Sequence, residues 1–239
     1  MRVKVRAPRW SGLAGAALAV AGFAAALLVP SRLEDGARPL APAEREPPVC
    51  GLAGVCDPGR LGWIDRIDGR LSLRLPALSD EVRARLAETI VKEAEVARID
   101  PLLVLAIIDV ESSWDPRAAS LSGARGLMQL LPATMQREVE RARITLADPH
   151  DPIANVQAGI RYLRRLLDAF PRLDVALMAY NAGPNRILGY VREGEIPDRF
   201  RAYPRRVTAE LRRLQSAFGL QARPAIAERP GAARTAVAQ

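Results

Sequence analysis

Seven consecutive residues, Leu102 to Ile108, carry apolar side chains, and they follow directly on Asp100-Pro101. That pair reads as an N-cap and a first helical turn, because the carboxylate can accept a backbone N–H and the proline has none to lose. The spacing predicts a helix without a polar face. Such a helix is stable only when covered on every side, so the rest of the domain must be built around it. The apolar fraction of 49% allows such a core, and the aromatic content of 5% means that Leu, Val, Ile and Ala fill it.

The flanking segments read as helices too. Val82, Leu86, Ile90, Ala94 and Ala97 recur every three or four positions, with Ser79 or Asp80 to cap the start. A third helix is expected from Pro132, and a fourth from Asp151-Pro152 with Ile153, Val156, Ile160, Leu163, Leu167 and Phe170 on one face. A fifth runs from about Leu173 to Gly183-Pro184, which stop it. The last follows Pro204, with Val207, Leu211, Leu214 and Phe218 in line. The expected class is all-α, with one helical domain over residues 78–221. Residues 222–239 hold Ala, Arg and Pro without an apolar period and are expected as a disordered tail. Upstream, in the short Cys-containing region 50–77, Leu71, Leu73 and Leu75 alternate with Ser72 and Arg74 beside Asp68-Gly69. This pattern predicts a hairpin over 60–75.

The N-terminus bears on compartment. Residues 1–9 carry Arg2, Lys4, Arg6 and Arg9 and no acid, and no charge follows from Trp10 to Ser31. As a helix rising about 1.5 Å per residue, that run spans roughly 33 Å, close to the hydrocarbon thickness of a bilayer. Residues 1–9 are expected on the cytoplasmic side and 10–31 as a transmembrane anchor or uncleaved signal in the inner membrane. Everything after Arg32 is then periplasmic. The alternative is export with a cleaved signal peptide, since Ala24 to Ala26 offer small residues. Residues 32–49, rich in Pro, Ala and Arg, read as a linker. In an exported segment Cys50 and Cys56 suit a local disulfide; in the cytosol both would be free thiols. Two cysteines and the distant His150 do not make a zinc site, His150 reads as a surface loop residue, and neither metal nor cofactor is expected. The net charge of +8 suits an anionic partner or plain solubility. No nucleic-acid motif accompanies it, so no nucleic acid is expected.

Chemistry enters at Glu111. It lies at the end of the most apolar helix, just before Trp114-Asp115-Pro116 breaks it. If it faces inward, burial and the negative end of the helix dipole both disfavour the carboxylate, which is what a general acid near neutral pH requires. Asp109 competes, but two positions away it points to another side of the helix. After Glu111 come Ser112, Ser120, Ser122-Gly123-Ala124 and Gly126-Leu127-Met128-Gln129, a loop of small and polar residues. Further on, Ala179-Tyr180-Asn181-Ala182-Gly183 sets a tyrosine and an asparagine at a helix end. Neutral hydrogen-bonding groups with an aromatic suit a sugar chain better than a phosphate or metal, although Met128 and Tyr180 could equally belong to the core.

These stretches resemble the lytic transglycosylases of the soluble-transglycosylase type, lysozyme-like proteins related to goose-type lysozyme. The likeness is carried by Glu111-Ser112 with Trp114-Asp115-Pro116, by Ser120 to Thr134, by Asp148-Pro149 to Asn155, and by Gly159 with Tyr162-Leu163. Ala179 to Pro184, Ile196-Pro197 and Tyr203 complete it, in order, over about residues 80–210. The resemblance implies a lysozyme-like fold with Glu111 as the catalytic acid. It implies that Ser120, Ser122, Gln129, Tyr180 and Asn181 contact substrate. Leu131 stands where many members have methionine, a volume-conserving departure.

A hydrolysing glycosidase needs two carboxyl groups. Here Glu111 stands alone, with Asp115 assigned to the turn before Pro116 and Asp148 and Asp151 to loop and helix capping. One carboxyl suffices if the substrate supplies the nucleophile. The resemblance therefore implies non-hydrolytic cleavage of peptidoglycan glycan strands, between N-acetylmuramic acid and N-acetylglucosamine, with formation of 1,6-anhydro ends. The alternatives are a hydrolytic lysozyme-type muramidase and a non-catalytic wall-binding scaffold. An envelope-spanning assembly is a further partner consistent with export.

Overall fold

The computed structural model describes residues 58–143 and 148–227. The anchor or signal over 10–31, the linker over 32–49, the Cys50–Cys56 pair and residues 228–239 of the tail lie outside the described residues. Within them the regular structure is helical, with three isolated bridges, as the all-α reading expects. No helix among the described residues is long and apolar enough to cross a membrane.

At the centre lies α3, Pro101–Ser112. Leu102 to Ile108 are all fully buried, the outcome that an all-apolar helix demands. Asp100 caps its start, accepting from the Leu102 N–H at 3.0 Å. Against it pack α2, Asp80–Ala97, capped by Ser79, and α8, Ala202–Ala217. The fifth helix, α5 (Pro152–Ala169), is capped by Asp151 and packs on α2, α4 (Pro132–Ala142) and α6 (Leu173–Ala182). Gly159 on α5 leaves room for Met128: a Cβ there would stand 2.4 Å from the Met128 sulfur.

Three expectations are corrected. The hairpin over 60–75 is instead a helix, α1, Pro58–Arg74. Ile67 and Leu71, one turn apart, are fully buried in the common core, whereas Leu73 is 75% exposed. Packing thus follows a helical period, and the two-residue alternation is incidental. The helical core accordingly begins upstream of residue 78. A second departure is α7, Pro184–Glu193. Gly183, at φ 90°, ends α6 and turns the chain, and Pro184 then takes the first position of a new helix. The third concerns the tail. Residues 222–227 lie along the domain: Asp100 N–H donates to Ala225 O at 2.9 Å, Ala227 N–H to Arg98 O at 3.1 Å, and Ile226 bridges Ile99. Arg223 forks onto the Asp100 carboxylate at 2.7 and 2.8 Å and lies over the Trp63 ring. These are long-range contacts, which no local period announces.

Candidate active site

Glu111 occupies the last turn of α3 and is half-buried. Tyr203, from the first turn of α8, donates its hydroxyl to Glu111 Oε1 at 2.6 Å. Burial pushes the Glu111 carboxyl up to about 7. The Tyr203 hydrogen bond and the charge of Arg206 pull it back toward the ordinary value, since both favour the anion. The outcome is a carboxyl poised between its two protonation states near neutral pH. Arg206 lies one turn beyond Tyr203, its guanidinium 5.9 Å from the centre of the Tyr203 ring.

Tyr203 is stacked nearly parallel on Tyr180, ring centres 6.5 Å apart, and Tyr180 leans on Tyr162 at 5.4 Å. Burial raises the hydroxyls of Tyr180 and Tyr203 well above the ordinary tyrosine value, and the neighbouring Glu111 charge adds to this. Both therefore stay protonated and act only as neutral donors. Tyr180 spends its proton on the Met128 carbonyl at 2.8 Å, tying α6 to the loop after α3.

That loop is held by its own backbone and by Asn155. Ser120 Oγ accepts from the Ala124 N–H at 3.0 Å, and Gln129 Nε2 donates to the carbonyls of Ala118 and Gly126, each at 3.0 Å. Fully buried Asn155 accepts from the Met128 N–H at 2.8 Å and donates to the carbonyls of Arg125 at 3.0 Å and Pro149 at 2.9 Å. Gly126, at φ 77°, is the point of closest approach: an added Cβ would sit 2.4 Å from Asn155 Nδ2.

The sequence-derived residues thus divide. Tyr180 joins Glu111 through the stack with Tyr203. Ser120 and Ser122 stand exposed on the loop, and Asn181 is exposed beside Tyr180. Gln129 braces the loop through its amide nitrogen. Asp109 is removed as a rival acid: it accepts from Arg74 Nη2 at 2.6 Å and from the Trp114 indole N–H. Asp115, Asp148 and Asp151 serve the backbone N–H groups of Arg117, His150 and Ala154, as their turn and cap assignments require. His150 sits half-buried with Nδ1 3.3 Å from the Pro116 carbonyl oxygen. Sequence reading missed Tyr203 as the partner of Glu111, together with Arg206 and the clamping role of Asn155. The only signal for Tyr203 was its place in the closing pattern of the resemblance.

Residues 88–199, just under half of the chain, match the family model described as the transglycosylase SLT domain. The chain is 37% identical over 99 residues to a transglycosylase of Enterobacteria phage PRD1, covering 41% of this chain and 35% of that one. It is 30% identical over 132 residues to the membrane-bound lytic murein transglycosylase C of Actinobacillus pleuropneumoniae, covering 49% of this chain and 36% of that one. Its fold superposes on lytic transglycosylase Slt of Pseudomonas aeruginosa, solved as an inactive mutant, with a TM-score of 0.52 at 22% identity. That match covers 70% of this chain and 31% of the other. The chain thus spans about a third of the length of each.

Proposed function

We propose, from the premise that residues 88–199 are a transglycosylase SLT domain, that this protein is a lytic transglycosylase of the bacterial cell wall with Glu111 as its general acid and base. The observation that carries the reading is the lone carboxyl raised to about 7 and held by Tyr203. Protonated Glu111 gives its proton to the oxygen joining N-acetylmuramic acid to N-acetylglucosamine, and the bond from that oxygen to the muramic C1 breaks. The substrate's own N-acetyl group stabilises the electron-poor carbon. The anion left on Glu111 then takes the proton of the muramic C6 hydroxyl as its oxygen bonds to C1, closing the 1,6-anhydro ring. Glu111 ends protonated, and no water is consumed.

The surroundings of Glu111 favour this route over hydrolysis. Among the described residues, the groups acting on its titration are Tyr203 and Arg206, with no second carboxylate among them, and the nearby Asp109 is committed to Arg74 and Trp114. Ser120, Ser122, Gln129, Tyr180 and Asn181 are proposed as the substrate-contacting set. Ser120, Ser122 and Asn181 offer exposed polar groups to it, whereas Tyr180 is buried, its ring stacked on Tyr203 and its hydroxyl on the Met128 carbonyl. The membrane-bound relative supports a periplasmic enzyme tethered by the uncharged run over residues 10–31. Mass spectrometry of fragments released from purified peptidoglycan decides the chemistry. Anhydro ends, one water lighter than reducing ends, are expected; reducing ends alone would make the protein a lysozyme.

Removing the Tyr203 hydroxyl should shift the pH profile in a fixed direction. That hydroxyl stabilises the Glu111 anion, so in Tyr203→Phe the carboxyl rises further above 7. The alkaline limb of kcat/KM, which follows loss of the acid's proton, should move to higher pH, with a lower maximum because the carboxyl is less well held. A limb displaced to lower pH would show that Tyr203 does not act on the anion.

A further inference from the structure

The helix α1 lies outside the matched domain, yet it reaches the turn that follows Glu111. Arg74, its last residue, donates to Asp109 Oδ1 at 2.6 Å, and its guanidinium lies 5.5 Å from the centre of the Trp114 ring. The same Asp109 oxygen accepts the Trp114 indole N–H. Trp114 is 3% exposed, so its N–H has little access to water and depends on that acceptor. Ser113 and Trp114 both adopt left-handed backbone, φ 50° and 72°, although neither is glycine. Consecutive left-handed residues persist only where side-chain contacts over-determine them. Here the contacts are the buried indole, its bond to Asp109 and the cation that holds Asp109 in place.

We propose that Arg74 is a positioning residue for Glu111: by fixing Asp109 and the Trp114 ring it locks the left-handed turn that terminates α3 and so sets where the Glu111 carboxyl sits. The inference rests on the proposed role of Glu111. Arg74 touches no substrate and acts only through Asp109 and Trp114. A helix contributed from outside the matched domain therefore completes the site.

The test uses the full chain with Arg74→Gln and Arg74→Met, alone and combined with Trp114→Phe. Purified peptidoglycan sacculi serve as substrate for fragment release and, separately, for co-sedimentation. Each Arg74 variant should release fragments at least about fivefold more slowly, while binding to sacculi stays within about twofold and circular dichroism remains that of the parent. Each double variant should be no slower than Trp114→Phe alone, because both changes break one linkage. Should Arg74→Met fail to fold, Arg74→Gln, which keeps a polar uncharged end at this partly exposed position, carries the comparison. Release by the Arg74 variants within twofold of the parent, or losses that multiply in the double variants, would overturn the proposal. A parent that releases no fragments would instead count against the enzymatic reading, and there the indole N–H resonance of Trp114 still decides. An unchanged resonance in Arg74→Gln, with Trp63 as internal reference, refutes the linkage; a shifted one supports it.

Discussion

Glu111→Gln should release soluble wall fragments at least about a thousandfold more slowly than the parent protein while still folding and binding glycan. Glutamine keeps the shape of the side chain and an oxygen that Tyr203 can continue to donate to, so the local geometry survives. It can neither give up a proton to the bridging oxygen nor take one from a hydroxyl, so both halves of the proposed reaction stop together. Release at more than a tenth of the parental rate would end the assignment of Glu111.

The same substitution should stabilise the fold, in a pH-dependent way. The Glu111 carboxyl titrates near 4.5 when unfolded and at about 7 when folded. Between those values the folded state holds a proton that the unfolded state has lost, so stability falls as pH rises through the window. The full interval corresponds to about 3 kcal/mol, taken as about 2 kcal/mol because the carboxyl is not fully buried. Glu111→Gln should therefore be more resistant to urea than the parent by about 2 kcal/mol at pH 8, with the difference vanishing below pH 4.5. A variant that loses activity and gains stability behaves as expected for a site whose chemistry needs an ill-solvated acid.

How far the sequence reveals this site depends on the range of the interactions. Glu111 stands out because a carboxyl at the end of an all-apolar helix is a local contradiction, visible without any partner. Ser79, Asp100 and Asp151 are equally legible as caps, since each acts on a backbone N–H two or three residues away. Helix α1 is not, because Gly62 and Gly69 are poor helix formers on its exposed face, its inner face shows only the short series Ile64, Ile67 and Leu71, and the alternation of Leu71, Leu73 and Leu75 imitates a strand. At Gly183-Pro184 the reading is half right: the pair ends one helix, but it also starts another. Tyr203 reaches Glu111 across 92 positions and Arg223 reaches Asp100 across 123, separations at which no periodicity speaks. What the residues themselves announce is local conflict and local capping; what completes the site is tertiary.

Asn155→Ala should cost about 3–5 kcal/mol of stability. Asn155 is fully buried on α5 and is the only link among the described residues that bonds at once to the Met128 N–H and to the carbonyls of Arg125 and Pro149. Alanine leaves the Met128 N–H and the Pro149 carbonyl without that partner, at about 1–3 kcal/mol for each that stays dry, whereas the Arg125 carbonyl keeps the Leu130 N–H at 3.0 Å; a void opens besides. Asn155→Asp is a sharper probe. It retains an acceptor for the Met128 N–H but sets an oxygen against two carbonyl oxygens, so it should be no better tolerated than alanine at neutral pH. Because the clamped loop presents Ser120, Ser122 and the Met128 carbonyl that receives Tyr180, fragment release should fall with stability rather than survive it. Urea unfolding midpoints checked against activity at a temperature where both variants are still folded separate the two effects. A loss under about 1 kcal/mol would mean that water can take the place of the side chain, and that the loop is held by its own turns and not by α5.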